Sequence, residues 1–392
     1  MQVVQGKTEW TPKEAGYDEA RLDMLHRHFD RMMKENKIIG ATYCLARHGK
    51  IFAHGAMGRK TYYTENAKPM QPDTVIRIAS ITKVFTTIAI MQLIEDGFLR
   101  LDDKIAQFLP QFQNPPFDQI SVFHLITHTS GLCPEDEAFP NDYQKGWWYY
   151  INNAIRDAKD GEHVDWIAAA LATGMRTPPG VEWQYSTFGF IILGVLIEKI
   201  TGKFANDYIM EKIVVPLQMK DTAFHITQDM AKRMLIKNEH WEKEIENILN
   251  GTQQPHEKSA WDEVPDTGGG LFSTAADLTR LGNMMLQNGT FDGVRILGRK
   301  AVEKITTPQI TDLIDHCWGS NEPRMYGIGF DMRQGPAWVY SEGIYFHEGA
   351  GACDLIIDPK EDFVAAWFIP FAQEWCPEPL FNATNVIWSG LL

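Results

Sequence analysis

The stretch Ser80-Ile81-Thr82-Lys83 opens a long apolar segment that continues to Leu99, with Gly97 near its end. This segment predicts a helix, in which a serine and a lysine three positions apart share one face. A serine hydroxyl is a weak nucleophile until a base takes its proton, and a lysine whose pKa is lowered by burial or by neighbouring cations can be that base. Free N–H groups at the helix start can stabilise an oxyanion. The alternative is a solvated lysine near an ordinary helix start.

Strand patterns lie at both ends of the chain, and helical patterns fill the middle. Residues 18–35 have helical spacing. The predicted strands, the first two joined by a hairpin at His48–Lys50, are Ala41–Arg47, Ile51–Met57, Tyr326–Met332, Ala352–Asp358 and Asp362–Ile369. These patterns predict an α+β fold: an antiparallel sheet flanked by helices, built from both chain ends, with an inserted mostly helical domain.

The expected domains follow from this arrangement. Residues 1–75 and 305–392 are expected to form a discontinuous α/β sheet domain. Residues 76–304 are expected to form a mainly helical domain, with insertions at 134–178 and 225–265. The first insertion contains the aromatic run Trp147–Tyr150, for which a substrate wall is favoured over a place in the core.

Composition and charge narrow the classes of partner. The 392 residues include 37 Lys and Arg against 51 Asp and Glu, a net charge of −14, without a cluster of basic residues. Neither a nucleic acid nor an anionic membrane surface is therefore an expected partner. No run of 18 apolar residues occurs, so no membrane span is expected. The start, Met1–Glu9, lacks the apolar core of a secretory signal, which favours a cytoplasmic location.

Cofactor and metal motifs are not evident either. The five cysteines are scattered without a CxxC pair, which favours reduced thiols. His124 and His128 are four apart but lack the glutamate and third ligand of a zinc helix, so packing and capping are expected instead. No Gly-Lys-Ser/Thr follows Gly268–Gly270, which is expected to let backbone pass close to a cleft. The acidic run Glu135–Glu137 is expected to be a solvated loop. We therefore expect no metal and no cofactor.

Five segments spread over most of residues 40–370 carry further information through their order: Asp73–Lys83, Ile120–Leu132, Pro179–Thr187, Gly268–Leu278 and Tyr345–Gly351. Together they resemble the serine β-lactamase-like hydrolases. That group includes class C β-lactamases, penicillin-binding D-amino peptidases and carboxypeptidases, and related esterases and transacylases. The resemblance implies the β-lactamase/transpeptidase-like fold and a site assembled between distant parts of the chain.

The resemblance also implies catalytic roles. Ser80 would be the acylated nucleophile. Lys83 would take its proton or hold its base. Tyr185 would be the second acid/base, which passes a proton to the leaving group and later activates water. The N–H groups of Ser80 and Ala350 would form the oxyanion hole.

The remaining implied substrate-binding residues are His347, Glu348, Gly349 and Thr187. His347 stands where many relatives carry the Lys of a Lys-Thr-Gly triad. Thr187 replaces the usual Asn of the Tyr-x-Asn motif, and a hydroxyl reaches less far than an amide. Glu348 replaces a small residue. Side chains alternate along a strand, so if His347 faces the cleft, Glu348 faces away. We expect Glu348 to have a partial effect at the rim of the cleft, where its charge would disfavour anionic substrates.

These observations predict a serine hydrolase that forms an acyl-enzyme on Ser80 and cleaves esters or amides of small substrates. An acyl transferase or a β-lactamase of the same family is an alternative. A second alternative, from a different class, is a catalytically silent relative that binds an acyl ligand. The expected partner is a small-molecule acyl substrate, and the sequence does not indicate an oligomeric state.

Overall fold

The fold centres on one antiparallel sheet. The computed structural model describes residues 2–132, 135, 145–158, 164–252 and 260–392. Within these ranges the strands are β1 (Val4–Gln5), β2 (Gly40–Arg47), β3 (Lys50–Gly58), β4 (Ile76–Arg77), β5 (Phe272–Ser273), β6 (Thr290–Phe291), β7 (Val294–Arg295), β8 (Ile314–Asp315), β9 (Glu322–Pro323), β10 (Tyr345–Gly349), β11 (Cys353–Asp358) and β12 (Phe363–Phe368).

Helices occupy most of the middle of the chain. The α-helices in the described ranges are α1 (Glu19–Lys34), α2 (Thr82–Glu95), α3 (Val122–Ile126), α4 (Trp147–Asp157), α5 (Trp166–Leu171), α6 (Thr187–Thr201), α7 (Ala205–Ile209), α8 (Gln228–Arg233), α9 (Glu239–Asn250), α10 (Ala275–Leu286), α11 (Arg299–Ile305) and α12 (Glu378–Trp388). A short 3₁₀ turn, Ala79–Ile81, leads directly into α2. None of the described helices is long and apolar enough to cross a lipid bilayer.

The six-stranded sheet joins the two ends of the chain. Its order is β1–β3–β2–β12–β11–β10, and its neighbouring strands pair antiparallel. At its centre, Tyr43 of β2 lies opposite Trp367 of β12. The expected α+β fold, with a sheet built from both chain ends, is therefore confirmed.

Both faces of the sheet are covered by helices. Helices α1 and α12 pack against each other over one face, with a core that includes Phe29, Tyr43 and Trp367. Helix α10 packs on the opposite face, where a methyl group on Gly282 would lie 2.5 Å from the side chain of Val364. Only glycine permits this close approach between helix and sheet. The face under α10 continues into the large core that contains α2 and α6.

Helices α2 and α6 are buried on nearly all sides. Every residue of α2 from Thr82 to Met91 is buried, including Lys83. Helix α6 is apolar along most of its length, starts at the N-cap Ser186 and ends at Gly202 in the left-handed conformation. A helix that is apolar all round belongs in a core, so these two helices provide rigid supports for side chains at their N-termini.

One predicted strand is wrong. Residues 326–332 form isolated bridges instead of a strand, with Tyr326 bridging both Ile310 and Asp331. Gly329 has a φ of +67°, and the Gly327 N–H donates to the Phe330 carbonyl, so the chain folds back on itself. The alternation of apolar residues suggested a strand, but the two glycines permit a tight loop.

Candidate active site

Ser80 lies directly before the buried helix α2. It is half-buried in the 3₁₀ turn that precedes α2, and it lines a cavity of about 380 Å³. The preceding residue, Ala79, has a φ of +46°, a left-handed conformation that is uncommon for alanine. Such strain persists only where surrounding structure imposes it, and it is often found at functional sites.

Lys83 is fully buried one helical turn beyond Ser80. Its Nζ contacts three oxygens: the Gly268 carbonyl at 2.6 Å, Thr187 Oγ1 at 3.1 Å and Ser80 Oγ at 3.2 Å. A methyl group on Gly268 would lie 2.4 Å from the Thr187 side chain, so glycine is needed for this backbone approach. The expectation that Gly268–Gly270 brings backbone close to the cleft is confirmed.

Burial controls the charge of Lys83. Desolvation lowers the pKa of its ammonium group to about 7, and the nearby carboxylate of Glu135 opposes this fall. A substantial fraction of Lys83 is therefore neutral near pH 7. Two N–H groups of the neutral amine can donate to Gly268 and Thr187, which leaves the lone pair free to accept a proton from Ser80.

Tyr185 completes the contacts of the serine. Its hydroxyl donates to Ser80 Oγ at 2.6 Å, although the two residues are 105 positions apart in sequence. Desolvation raises the pKa of Tyr185 far above its usual value, so its hydroxyl keeps its proton. Ser80 Oγ thus accepts a hydrogen bond from Tyr185 while it lies within reach of Lys83.

His128 holds the tyrosine in place. Its ring stacks on the Tyr185 ring with 4.5 Å between centroids, and its Nδ1 accepts a hydrogen bond from the Ser186 N–H. Burial lowers the pKa of His128 well below its ordinary value, and the charge of Lys83 adds to this effect. His128 is therefore a neutral packing residue, as expected for packing. Cys317 Sγ accepts from the Tyr185 N–H at 3.3 Å.

The expectation that Glu135 lies in a solvated loop is wrong. Its carboxylate accepts hydrogen bonds from the Thr187 N–H at 2.7 Å and from the Trp147 indole N–H at 3.0 Å. Thr187 is the first residue of α6, so the carboxylate occupies the positive end of that helix. Glu135 is thus a structured acidic group close to Lys83, whereas Asp136 and Glu137 lie outside the described residues.

The strand β10 borders the site. His347 is 5% exposed and pairs with Leu355, which belongs to the core shared with α2. Its Nδ1 lies 2.7 Å from the Glu348 carbonyl, an acceptor, so Nδ1 carries the proton. Desolvation, together with the charge of Lys83, lowers the pKa of His347 to about 4, and the imidazole is neutral at pH 7.

The end of β10 passes very close to the residues that precede Ser80. A methyl group on Gly349 would lie 2.3 Å from the Ile78 carbonyl oxygen, so this contact requires glycine. Ala350, the next residue, lines the same cavity as Ser80. The structure therefore places Gly349 beside Ile78 and Ala350 in the cavity of Ser80, and the role of Ala350 in an oxyanion hole stays a prediction.

Glu348 lies on the other face of the sheet. Its strand partner is Asp354, which accepts a hydrogen bond from the Trp367 indole in the layer beneath α1 and α12. The Glu348 side chain is exposed and accepts from Arg333 at 2.6 Å. It does not line the cavity of Ser80. This geometry argues against the expected rim charge filter, because the alternation of side chains carries Glu348 away from the cleft, although its charge still adds to the raised pKa of Tyr185.

The cavity wall also differs from the expectation. Trp147 is buried in the core against Phe188, and no member of the run Trp147–Tyr150 lines the cavity. Its wall instead includes three apolar side chains of the second insertion, Met234, Leu235 and Trp241, and two from outside it, Ile76 and Phe272. Two cations also line it: Arg77, three residues before Ser80, and Lys237, which no short sequence pattern connected with Ser80.

The fold and these contacts define a class of protein, the serine hydrolases in which a lysine and a tyrosine flank the serine. The chain belongs to the beta-lactamase family, whose model matches residues 25–370. Protein Rv1367c of Mycobacterium tuberculosis (strain ATCC 25618 / H37Rv) is 30% identical over 350 residues, which cover 81% of this chain and 82% of that relative. Esterase EstB of Burkholderia gladioli is 27% identical over 288 residues, which cover 67% and 68%.

A solved structure supports the same fold. A penicillin-binding protein homologue from Caulobacter crescentus superposes with a TM-score of 0.72 and 17% identity, covering 99% of this chain and 100% of that chain. At this identity the likeness concerns the fold alone. The family and the names of its members indicate hydrolase activity on esters or amides in general.

Proposed function

We propose that this protein is a serine hydrolase that forms an acyl-enzyme on Ser80 and cleaves esters or amides of small acyl substrates. The observation that carries the proposal is the position of Ser80 Oγ between Lys83 Nζ at 3.2 Å and the Tyr185 hydroxyl at 2.6 Å. Such a pair supplies both a base for the attacking serine and an acid for the leaving group.

Acylation begins with proton transfer from Ser80 to neutral Lys83. The serine oxygen attacks the substrate carbonyl carbon, and the N–H groups of Ser80 and Ala350 stabilise the oxyanion. Tyr185 then donates its proton to the leaving group as the carbon–leaving-group bond breaks. Protonated Lys83 then returns its proton to Tyr185, and both groups contact Ser80 Oγ in the free protein.

Deacylation uses the same groups in reverse order. A water molecule gives its proton to the Tyr185–Lys83 pair as its oxygen attacks the acyl carbon. The acyl–oxygen bond breaks, Ser80 regains its proton and the free acid leaves. The neutral His347 adds no positive charge beside this path, and Thr187 places a hydroxyl where an amide is usual, which favours simple esters over β-lactams. The name of the relative Esterase EstB is consistent with this preference.

A fluorophosphonate probe tests the proposal, because it labels only an activated serine. Intact-mass measurement should show one adduct, and peptide mapping should place it on the peptide that contains Ser80. Ser80→Ala should remove both the adduct and the hydrolysis of short-chain aryl esters while the thermal transition is kept. Ser389→Ala, which changes an exposed serine in the turn after α12, is the matched control.

Two results would contradict the proposal. One is undiminished hydrolysis by Ser80→Ala, which would place the nucleophile elsewhere. The other is a folded wild-type protein that neither reacts with the probe nor hydrolyses any ester or amide. That result would favour the silent ligand-binding relative.

A further inference from the structure

The charge of the cavity beside Ser80 has one sign. Among the described residues that line its 380 Å³, Arg77 and Lys237 carry charge, and both are cations. The protein as a whole is acidic, with a net charge of −14. A cleft lined by one sign of charge raises the local concentration of ligands of the opposite sign. Its volume lies in the range of small-molecule sites.

Arg77 is oriented by the backbone on one side of the cavity. It is the last residue of β4, and its Nε donates to the Gly269 carbonyl at 3.0 Å. The described residues provide no ion pair for its guanidinium group. The remaining N–H donors can therefore bind a carboxylate, to which the planar guanidinium is well matched.

Lys237 belongs to the second insertion and lines the same cavity. Its backbone follows Ile236, which is tied to the body of the protein by a hydrogen bond from the Tyr62 N–H. A methyl group on Gly351 would lie 2.6 Å from Lys237 Nζ, so the ammonium group lies beside the loop that follows Ala350. The cation therefore lies beside the loop that follows Ala350, the residue whose N–H is proposed to bind the oxyanion.

Asp266 is an acidic group near Arg77. Desolvation raises the pKa of Asp266, and the charge of Arg77 opposes that rise, which shows that the two groups interact. Asp266 does not line the cavity. Lys237 has no hydrogen bond or ion pair to any of the described residues, so its charge is available to a ligand.

We propose that this cavity selects substrates in which an apolar segment separates the scissile ester or amide from an anionic end group, a carboxylate above all. The apolar wall formed by Leu235, Trp241 and Phe272 takes the hydrocarbon, and Arg77 and Lys237 bind the anion. The inference rests on the proposed function, because it assumes that the reacting carbonyl lies at Ser80.

Paired substrates test the inference. The mono-p-nitrophenyl ester of glutaric acid carries the anion on the acyl side, and p-nitrophenyl pentanoate is its neutral match. A second pair, 4-acetoxybenzoate and methyl 4-acetoxybenzoate, carries or lacks the anion on the leaving group. The quantity measured is the ratio of kcat/KM for the anionic ester to kcat/KM for its neutral match.

Lys237→Glu is expected to lower this ratio by about tenfold or more in at least one pair, because it replaces attraction by repulsion. The pair that responds identifies which side of the scissile bond faces the cations. Raising the salt concentration should shrink the wild-type preference, since partly exposed charges are screened. Lys232→Glu, an exposed change of the same charge five residues earlier and outside the cavity lining, should leave both ratios within about twofold of the wild type.

A binding measurement separates this inference from the proposed function. Calorimetric titration of Ser80→Ala with the glutarate monoester needs no turnover, and adding Lys237→Glu should weaken the binding by about tenfold. If the enzyme hydrolyses neutral esters but Lys237→Glu leaves both kcat/KM ratios unchanged, the inference is overturned and the proposed function stands. Absence of any Ser80 adduct, with binding still weakened by Lys237→Glu, would overturn the proposed function alone.

Discussion

The carboxylate of Glu135 accepts a hydrogen bond of 2.7 Å from the backbone N–H of Thr187, the residue whose hydroxyl accepts a hydrogen bond from Lys83. One acidic side chain of the first insertion therefore contacts the start of α6 directly beside the lysine. It also raises the pKa of Lys83 against the effect of burial. This relationship makes the charge of Lys83 depend on a residue outside the serine–lysine–tyrosine group.

The first prediction concerns the pH dependence of the wild-type enzyme. Because burial lowers the pKa of Lys83 to about 7, its neutral, proton-accepting form predominates above that pH. The kcat/KM for a neutral aryl ester should rise with pH, with a midpoint near 7, and then level off. His347, whose pKa is about 4, should add no second step near pH 6.5. A midpoint near 10 would show that Lys83 keeps an ordinary lysine pKa and is not the base.

The second prediction concerns Glu135→Gln. This change removes the carboxylate that raises the Lys83 pKa, so the midpoint of the pH profile should move to lower pH. The height of the plateau reports any loss of positioning, whereas the midpoint reports the electrostatic effect. Glu239→Gln, which removes an exposed carboxylate from the first turn of α9, is the control and should leave the midpoint in place. An unmoved midpoint in Glu135→Gln would limit Glu135 to a structural role.

The third prediction is that Lys83 and Tyr185 act as a unit. Lys83→Met and Tyr185→Phe should each lower kcat/KM by about 10² to 10⁴, the range typical of lost general acid–base catalysis. The double variant should cost far less than the product of the two losses, because both groups serve one proton path. Circular dichroism checks that each variant is folded. Multiplicative losses would instead mean that the two side chains contribute independently.

The fourth prediction concerns Glu348. Its side chain pairs with Arg333 on the sheet face opposite Ser80, so Glu348→Gln should change kcat/KM for a carboxylate-bearing cephalosporin and for a neutral ester by the same small factor. The free energy of unfolding should fall by about 0.5 kcal/mol, because partly exposed ion pairs contribute little. Chemical denaturation measures this change. A rise in kcat/KM for the cephalosporin alone would support the charge-filter role.

Local patterns predicted the parts of the molecule that depend on near neighbours. The hairpin around His48–Lys50 and the helix that opens at Ser80 both follow from spacing, and both are present as β2–β3 and α2. The contact of Tyr185 with Ser80 spans 105 residues and was implied only by resemblance to a family. The expected domain boundaries at residues 75 and 305 stay a prediction, although α10 from the helical part packs on the sheet.

Sequence patterns did not predict the residues that act through distant contacts. Glu135 lies in a run of acidic letters that normally indicates solvent, and only the folded chain brings its carboxylate to the N–H of Thr187. Lys237 belongs to a polar insertion whose path across the cavity has no periodic signal. In both cases the decisive partner is a backbone group or a cavity, which a sequence pattern does not encode.

The pairing of β2 with β12 has a consequence for synthesis of the protein. Arg47 contacts Glu361, 314 residues later, so the hairpin β2–β3 emerges from the ribosome long before its sheet partner exists. At about 10 residues per second, this interval is roughly 30 s. During that time one edge of β2 presents unpaired N–H and C=O groups, which another chain can pair with. Slow elongation or crowded nascent chains should therefore promote aggregation that starts at residues 40–58.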